Sequence, residues 1–257
     1  MKKSVRLISL LLSCLYLILP LLVTFLYSLS SSWSHSILPE SLTLKWYSQL
    51  FLNADFIQSM LRSIILVSGI VLVAVFIMVP AIYGIVVFYP RLERFIKWSI
   101  IGTYAMPGVI LSVGLLKAYS NSSLPILFVV IGAYFTSILP FMYQGIRNSL
   151  RNIDVIQLNE AAEVLGANKM ITFKTIILPS IMHGVKVSAL LSFSVLFGEF
   201  VVINMLLGSK FKTVQIFLME NIKKNGHFSS AIVGCYFILL AIVALVVLKM
   251  NSGRKEG

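Results

Sequence analysis

Six long apolar runs dominate this chain: Leu7–Leu29, Ser63–Phe88, Trp98–Leu116, Leu124–Ile146, Val187–Leu207 and Ser230–Leu248. A helix that crosses a bilayer needs about 20 predominantly apolar residues, and each run is long enough. Within 257 residues six such spans leave no room for a separate soluble domain. The expectation is an all-α integral membrane protein, one domain over residues 1–257, with six transmembrane helices.

Composition agrees. The chain is 58% hydrophobic and 12% charged, with a mean hydropathy of +0.95; a soluble domain carries about twice that charge. A cytosolic enzyme and a disordered protein are both excluded. The net charge of +12 would suggest nucleic acid only if the basic residues gathered on a soluble face. Here they lie between apolar runs, so the lipid bilayer is the partner and nucleic acid is not.

Met1-Lys2-Lys3 and Arg6 ahead of the first run resemble the start of a secretory signal. The run exceeds the roughly 7–15 residues of a signal core and no Ala-x-Ala site follows, so a retained helix is expected. With an inward N-terminus, 14 of the 21 Lys and Arg residues fall in inner segments and 7 in outer ones. The positive-inside rule then puts both termini in the cytoplasm, although four lysines in the outer loop 208–229 run against the bias. Cys14 and Cys235 fall in opposite leaflets and should stay unpaired. Pro20, Pro80, Pro107 and Pro140 interrupt the runs and imply kinked core spans.

Between the fourth and fifth spans lie about forty residues, 147–186, far more than a tight connection requires. Asp154 is placed to cap a short amphipathic helix, with Val155, Leu158, Ala161, Ala162 and Leu165 on one side. Gly166 suits a left-handed C-terminal position, and Asn168 can start a second helix through Phe173 and Ile176 that Pro179 ends. The product is a helix-turn-helix at the inner membrane face.

This segment reads Glu160-Ala161-Ala162, three residues, Gly166, nine residues, Ile176, one residue, Leu178-Pro179. It resembles the "EAA" loop of binding-protein-dependent ABC importer permeases at every named position, and the likeness extends from about Arg62 to the C-terminus. The resemblance implies a type I importer permease, a multi-pass protein of the cell membrane whose loop, with Phe173 inside it, docks on a cytoplasmic ABC ATPase dimer. It also implies a second permease subunit, a different chain, and an extracytoplasmic solute-binding protein. ATP and Mg would reside on the ATPase, leaving no cofactor here. By position, Glu160 would meet a basic group on the ATPase, Ala161 and Ala162 would permit close approach, and Gly166 would make the turn. A small-residue surface beside a carboxylate suits that task physically. The plainer alternative is that Glu160 and Glu163 are the solvated face of a surface helix and Gly166 an ordinary stop.

No phosphate-binding loop is present, since Gly208-Ser209-Lys210 lacks the upstream glycine and strand context. His35, His183 and His227 are widely separated, so a metal site is not expected. No serine sits in G-x-S-x-G. The chain offers no catalytic residue.

Of nine acidic residues only Glu199 falls within a span. A carboxylate in hydrocarbon needs a partner or a wet cavity, which makes Glu199 the first candidate for a solute pathway. On one continuous helix Ser188, Ser192 and Glu199 would share a face within roughly 40°. Weaker candidates are Tyr104 and Ser112 in the third span and Gln144 in the fourth, with helix packing as the alternative reading of each hydroxyl. Met106-Pro107-Gly108 and Phe197-Gly198-Glu199-Phe200 look most like the polyamine, phosphonate and iron(III) branch of these permeases. A lone pathway carboxylate suits a cationic polyamine. Rival classes are an ion-coupled secondary transporter, which would carry more intramembrane charges, and a structural subunit of another membrane complex.

Overall fold

The computed structural model describes residues 2–33 and 38–252. Along them run α1 (Lys2–Leu29), α2 (Lys45–Leu52), α3 (Ala54–Phe88), α4 (Pro90–Tyr104), α5 (Gly108–Tyr119) and α6 (Ile126–Asn152). There follow α7 (Val155–Val164), α8 (Lys169–Thr172), α9 (Leu178–Phe197), α10 (Val201–Leu206), α11 (Val214–Asn221) and α12 (Gly226–Ser252). A π-turn at Phe173–Ile177 joins α8 to α9, and a 3-10 turn at Gly208–Phe211 follows α10. Among the described residues extended pairing is limited to an isolated bridge between Ser30 and Leu42.

Five stretches are long and apolar enough to cross a membrane: Leu7–Leu29, Ala54–Phe88, Ile126–Asn152, Lys169–Phe197 and Gly226–Val247. The α4–α5 pair makes a sixth if counted together, but it is bent by 94°. The chain is therefore an all-α protein with up to six spans.

Three spans differ from the sequence expectation. The second begins at Ala54 rather than Ser63, because the Asn53 side chain accepts the Phe56 N–H (3.1 Å) and Asp55 occupies the first turn, where negative charge is favoured. The third is not one kinked helix over Trp98–Leu116. Pro107 has no N–H and adopts an extended ψ of 134°, which ends one helix and starts the next. Pro20, Pro80 and Pro140, by contrast, lie inside continuous helices.

The fifth span is the largest correction. It does not begin at Val187, nor does Pro179 stop the preceding helix. In the π-turn the Leu178 N–H reaches back to the Phe173 carbonyl, and Pro179 then falls in the first turn of α9, where a missing N–H costs little. The helix that starts at Lys169 thus continues to Phe197, and the expected forty-residue loop shrinks to residues 153–168 around α7. At the other end the span breaks before Leu207, between Phe197 and Val201.

The chain divides into two compact units. One is formed by the chain up to Met60 with Thr213–Ile242, the other by Leu61–Lys212 with the chain from Val243 onward. In the first, α2 turns Trp46 and Tyr47 onto the end of α1. The Trp46 Nε1–H donates to the Ser30 carbonyl (2.8 Å), and Tyr47 Oη pairs with Ser28 Oγ (2.8 Å). Burial pushes the Tyr47 phenol pKa up, the Ser28 bond acting in the opposite sense. His227 stacks on Tyr27 (centroids 4.0 Å) and on Trp46 (5.6 Å). Its Nδ1 faces the Tyr27 carbonyl at 2.9 Å; a carbonyl only accepts, so the proton sits on Nδ1. From Leu7 to Val23, α1 is exposed on every side. Cys14 and Cys235 are free thiols.

The second unit is built on α6 and α9, its most extensive helix pair. Each contributes a glycine and, four residues on, a serine that bonds back to it: Ser149 Oγ donates to the Gly145 carbonyl (2.8 Å) and Ser188 Oγ to the Gly184 carbonyl (2.7 Å). A Cβ on Gly145 would overlap Ser188 Oγ, and one on Gly184 would overlap Ser149 Oγ. Small residues at this spacing let membrane helices approach closely. Ile138, Met142, Ile146, Ile177 and Ile181 fill the surrounding core.

Candidate functional site

The α7 segment ends in a Schellman turn. Gly166 has φ +77°, its N–H bonds the Glu163 carbonyl (2.9 Å), and the Ala167 N–H bonds the Ala162 carbonyl (2.9 Å). Gly166 therefore does what its position in the sequence predicts. Asn168 caps α8, its side chain accepting the Met170 N–H (3.1 Å). Asp154 does not cap α7: it is left-handed at φ 46° and makes no side-chain bond to the helix start.

Only part of the expected apolar face is buried. Val155 and Ala162 are buried and Leu158 is half-buried, while Ala161 and Leu165 are exposed. Glu160 is exposed too, with no ion-pair partner among the described residues. Phe173, Leu178 and Pro179 are half-buried and Ile176 is exposed. The motif residues thus separate into an outward set, Glu160, Ala161, Gly166 and Ile176, and a set turned toward the chain's own helices.

Sequence reasoning missed what holds α7 in place. The Tyr83 hydroxyl, on α3, donates to Asn159 Oδ1 (2.6 Å), and Asn159 Nδ2 donates back to the Val155 carbonyl (2.8 Å). The Tyr83 ring packs on Phe173 (4.7 Å) and edge-on to Phe88 (5.8 Å), and Lys169 Nζ lies over the Phe88 ring (4.8 Å). One side chain of α3 therefore touches both arms of the turn. A signal existed: Asn159 is polar, yet it sits four residues after Val155 and three before Ala162, on the face that must be buried.

A second constellation lies at the break between α9 and α10. The Glu199 carboxylate accepts the Val202 N–H at Oε1 (2.9 Å) and the Ile203 N–H at Oε2 (3.4 Å), satisfying free amides at the start of α10. The Tyr134 hydroxyl donates to the Glu199 carbonyl (3.4 Å), and a Cβ on Gly108 of α5 would sit 3.8 Å from the Val201 side chain, an ordinary contact. Glu199 remains half-buried. The common face expected for Ser188, Ser192 and Glu199 is not formed, because α9 ends at Phe197. Ser188 and Ser192 are buried, the Ser192 hydroxyl without a partner among the described residues. Ser112 is buried and bonds the Gly108 carbonyl (2.7 Å). Gln144 lies exposed beside Lys97 in a cavity of about 340 Å³ between α4 and α6. The Tyr104 side chain lies outside the described residues, as does His35.

Among the described residues no cluster of three His, Cys, Asp or Glu has the arrangement of a metal site. An ion pair joins Arg147 of α6 to Glu93 of α4 (2.5 Å).

A family model described as "Binding-protein-dependent transport system inner membrane component" matches residues 78–256. The chain is 24% identical over 244 residues to the spermidine/putrescine transport system permease protein PotC of Escherichia coli (strain K12), covering 93% of this chain and 90% of that one. It is 27% identical over 149 residues to the Fe(3+)-transport system permease protein FbpB 2 of Haemophilus influenzae, covering 57% of this chain and 29% of the relative. A solved bacterial ABC transporter involved in the import of the acidic polysaccharide alginate contains a chain that superposes with a TM-score of 0.72 at 18% identity, over 96% of this chain and 95% of that one. The MetNI methionine ABC transporter, in inward-facing conformations, gives 0.60 at 16% identity, over 78% and 98%.

Proposed function

Because the chain belongs to the binding-protein-dependent transport system inner membrane components, we propose that α7 couples it to a cytoplasmic ATPase and that its cargo is a cationic polyamine. The chain is a multi-pass inner-membrane permease subunit of an ABC importer. Hydrolysis of ATP, with its Mg, falls to the separate ATPase dimer, and cargo arrives on an extracytoplasmic binding protein.

The observation that carries the coupling proposal is the state of Glu160. Its carboxylate is exposed and without an ion-pair partner among the described residues, on a helix whose other side is tied down through Asn159 and Tyr83. A free anion on a firmly held, small-residue edge is what a basic groove on a motor subunit would grip. Both termini and α7 then face the cytoplasm, in keeping with the excess of basic residues in the inner segments. The second permease subunit, with lipid, would cover α1, which is apolar and exposed from Leu7 to Val23.

Two considerations favour a polyamine over iron(III) or a phosphonate. The match to PotC extends over nearly the whole of both chains, and the acidic group at the α9–α10 break, Glu199, is half-exposed and suited to ammonium groups. The test is reconstitution with the ATPase, the second permease and the binding protein. Spermidine or putrescine should stimulate ATP hydrolysis and be accumulated, whereas ferric ion and phosphonates should not. Accumulation in vesicles lacking the ATPase would refute the coupling assignment.

A further inference from the structure

α4 differs from the other long helices in carrying two exposed flanks of opposite character. Ile100 is buried against the bundle, and Glu93 on the same side is held by Arg147 and, at 3.4 Å, by the Tyr143 hydroxyl. Leu92, Phe95 and Trp98 are exposed at 49%, 72% and 67%. Arg91, Arg94 and Lys97 are exposed as well, and none has an acidic partner among the described residues. Successive residues of a helix point about 100° apart, so Arg94 and Phe95 define a cationic and an apolar flank side by side. Such a helix lies at the boundary between headgroups and acyl chains. The 94° bend after it sets the direction of α4 apart from that of α5.

Lys97 of the cationic flank lines the cavity of about 340 Å³ between α4 and α6, and Arg94 lies one turn before it on the same flank. Its walls are mainly apolar, with Ile100 and Ile101 of α4 facing Pro140 and Phe141 of α6, and its polar side chains include Lys97 and Gln144. Arg147 adds no net charge because Glu93 neutralises it. A crevice that is apolar within and cationic at its edge matches a molecule with an anionic head and a hydrocarbon tail, and basic pockets between membrane helices take such headgroups.

We propose that the α4–α6 crevice binds an anionic phospholipid of the inner leaflet, its phosphate against Lys97 and Arg94 and an acyl chain along Ile101 and Phe141. The leaflet rests on the orientation proposed above; the binding itself does not require transport. The assembled importer, with Trp33 and Trp46 replaced by Phe so that Trp98 alone reports from this chain, is placed in phosphatidylcholine vesicles with either brominated phosphatidylglycerol or brominated phosphatidylcholine. Trp98 fluorescence in this chain is compared with a Trp98→Phe control. Quenching should favour the anionic lipid roughly fivefold and fall to parity in the Arg94→Gln/Lys97→Gln variant, with Arg94→Lys/Lys97→Arg retaining the preference. Equal quenching by both lipids in the parent, or a preference that survives the Gln variant, overturns the proposal. So does quenching by neither lipid, which would assign the face to a protein partner. Uptake in the same vesicles reads the transport assignment separately, since loss of uptake with the lipid preference intact would strike only that assignment.

Discussion

Ser188 of α9 occupies the volume that a side chain on Gly145 of α6 would need, and Ser149 of α6 stands in the same relation to Gly184 of α9. The two helices close on each other through a reciprocal pair, so neither glycine can grow without driving the crossing apart. Gly145→Val or Gly184→Val should therefore destabilise the chain by about 1–3 kcal/mol, seen as a lower midpoint in thermal unfolding in detergent. Ser188→Ala, which removes only the hydroxyl and frees a carbonyl already used within the helix, should change the midpoint far less. Equal effects would mean that the crossing is not sterically closed.

Tyr83→Phe removes the hydroxyl that reaches Asn159 and leaves the ring stacking untouched. The loss of one side-chain hydrogen bond is worth about 1 kcal/mol, so amide exchange across α7 should quicken roughly fivefold while α6 and α9 stay protected. If α7 transmits motion between ATPase and spans, the same variant should lower uptake per ATP hydrolysed.

At Gly166 the backbone is left-handed with open space around the α-carbon, so conformation rather than crowding limits substitution. Gly166→Ala should cost about 1 kcal/mol, whereas Gly166→Pro cannot reach a positive φ and removes the N–H that bonds Glu163. Gly166→Pro should abolish uptake with membrane levels unchanged by immunoblot. Wild-type uptake and substrate-stimulated hydrolysis in that variant would count heavily against a coupling role for this turn.

Glu199 has two tasks under the proposed function, capping α10 and meeting a cation, and two substitutions separate them. Glu199→Gln keeps an oxygen for the Val202 N–H, so thermal stability should fall little, but loss of the charge should raise the KM for polyamine uptake on the order of tenfold. Glu199→Ala removes the cap as well and should cost about a further 1 kcal/mol of stability. If Glu199→Gln transports with an unchanged KM, the carboxylate is a cap alone.

Much of this was legible from local chemistry. The apolar runs located five membrane-length helices and the broken α4–α5 pair, though not all of their ends, and Gly166 announced its turn because only glycine takes a positive φ without strain. What stayed hidden depends on partners distant in sequence or on how the backbone absorbs a local defect. Pro179 reads as a helix stop until a π-turn one step ahead of it absorbs the missing N–H, and Pro107 reads as a kink until the chain turns sharply there. Glu199 reads as a group seeking a wet cavity, yet backbone amides three and four residues onward already satisfy part of its valence. Ser188 reads as a pathway hydroxyl because its spacing is equally that of a packing seam, and only the opposing glycine decides which.

The unbroken helix from Lys169 to Phe197 has a mechanical corollary. At 1.5 Å per residue its 29 residues form a rod about 43 Å long, stiff from the base of the turn at Gly166 to the break at Glu199. Tilting such a rod by about 5° about one end swings the other by about 4 Å, close to the diameter of an alkyl chain. A small rotation at one surface is thereby geared into an opening wide enough to matter on the far side, less whatever bend the π-turn at Phe173–Ile177 takes up.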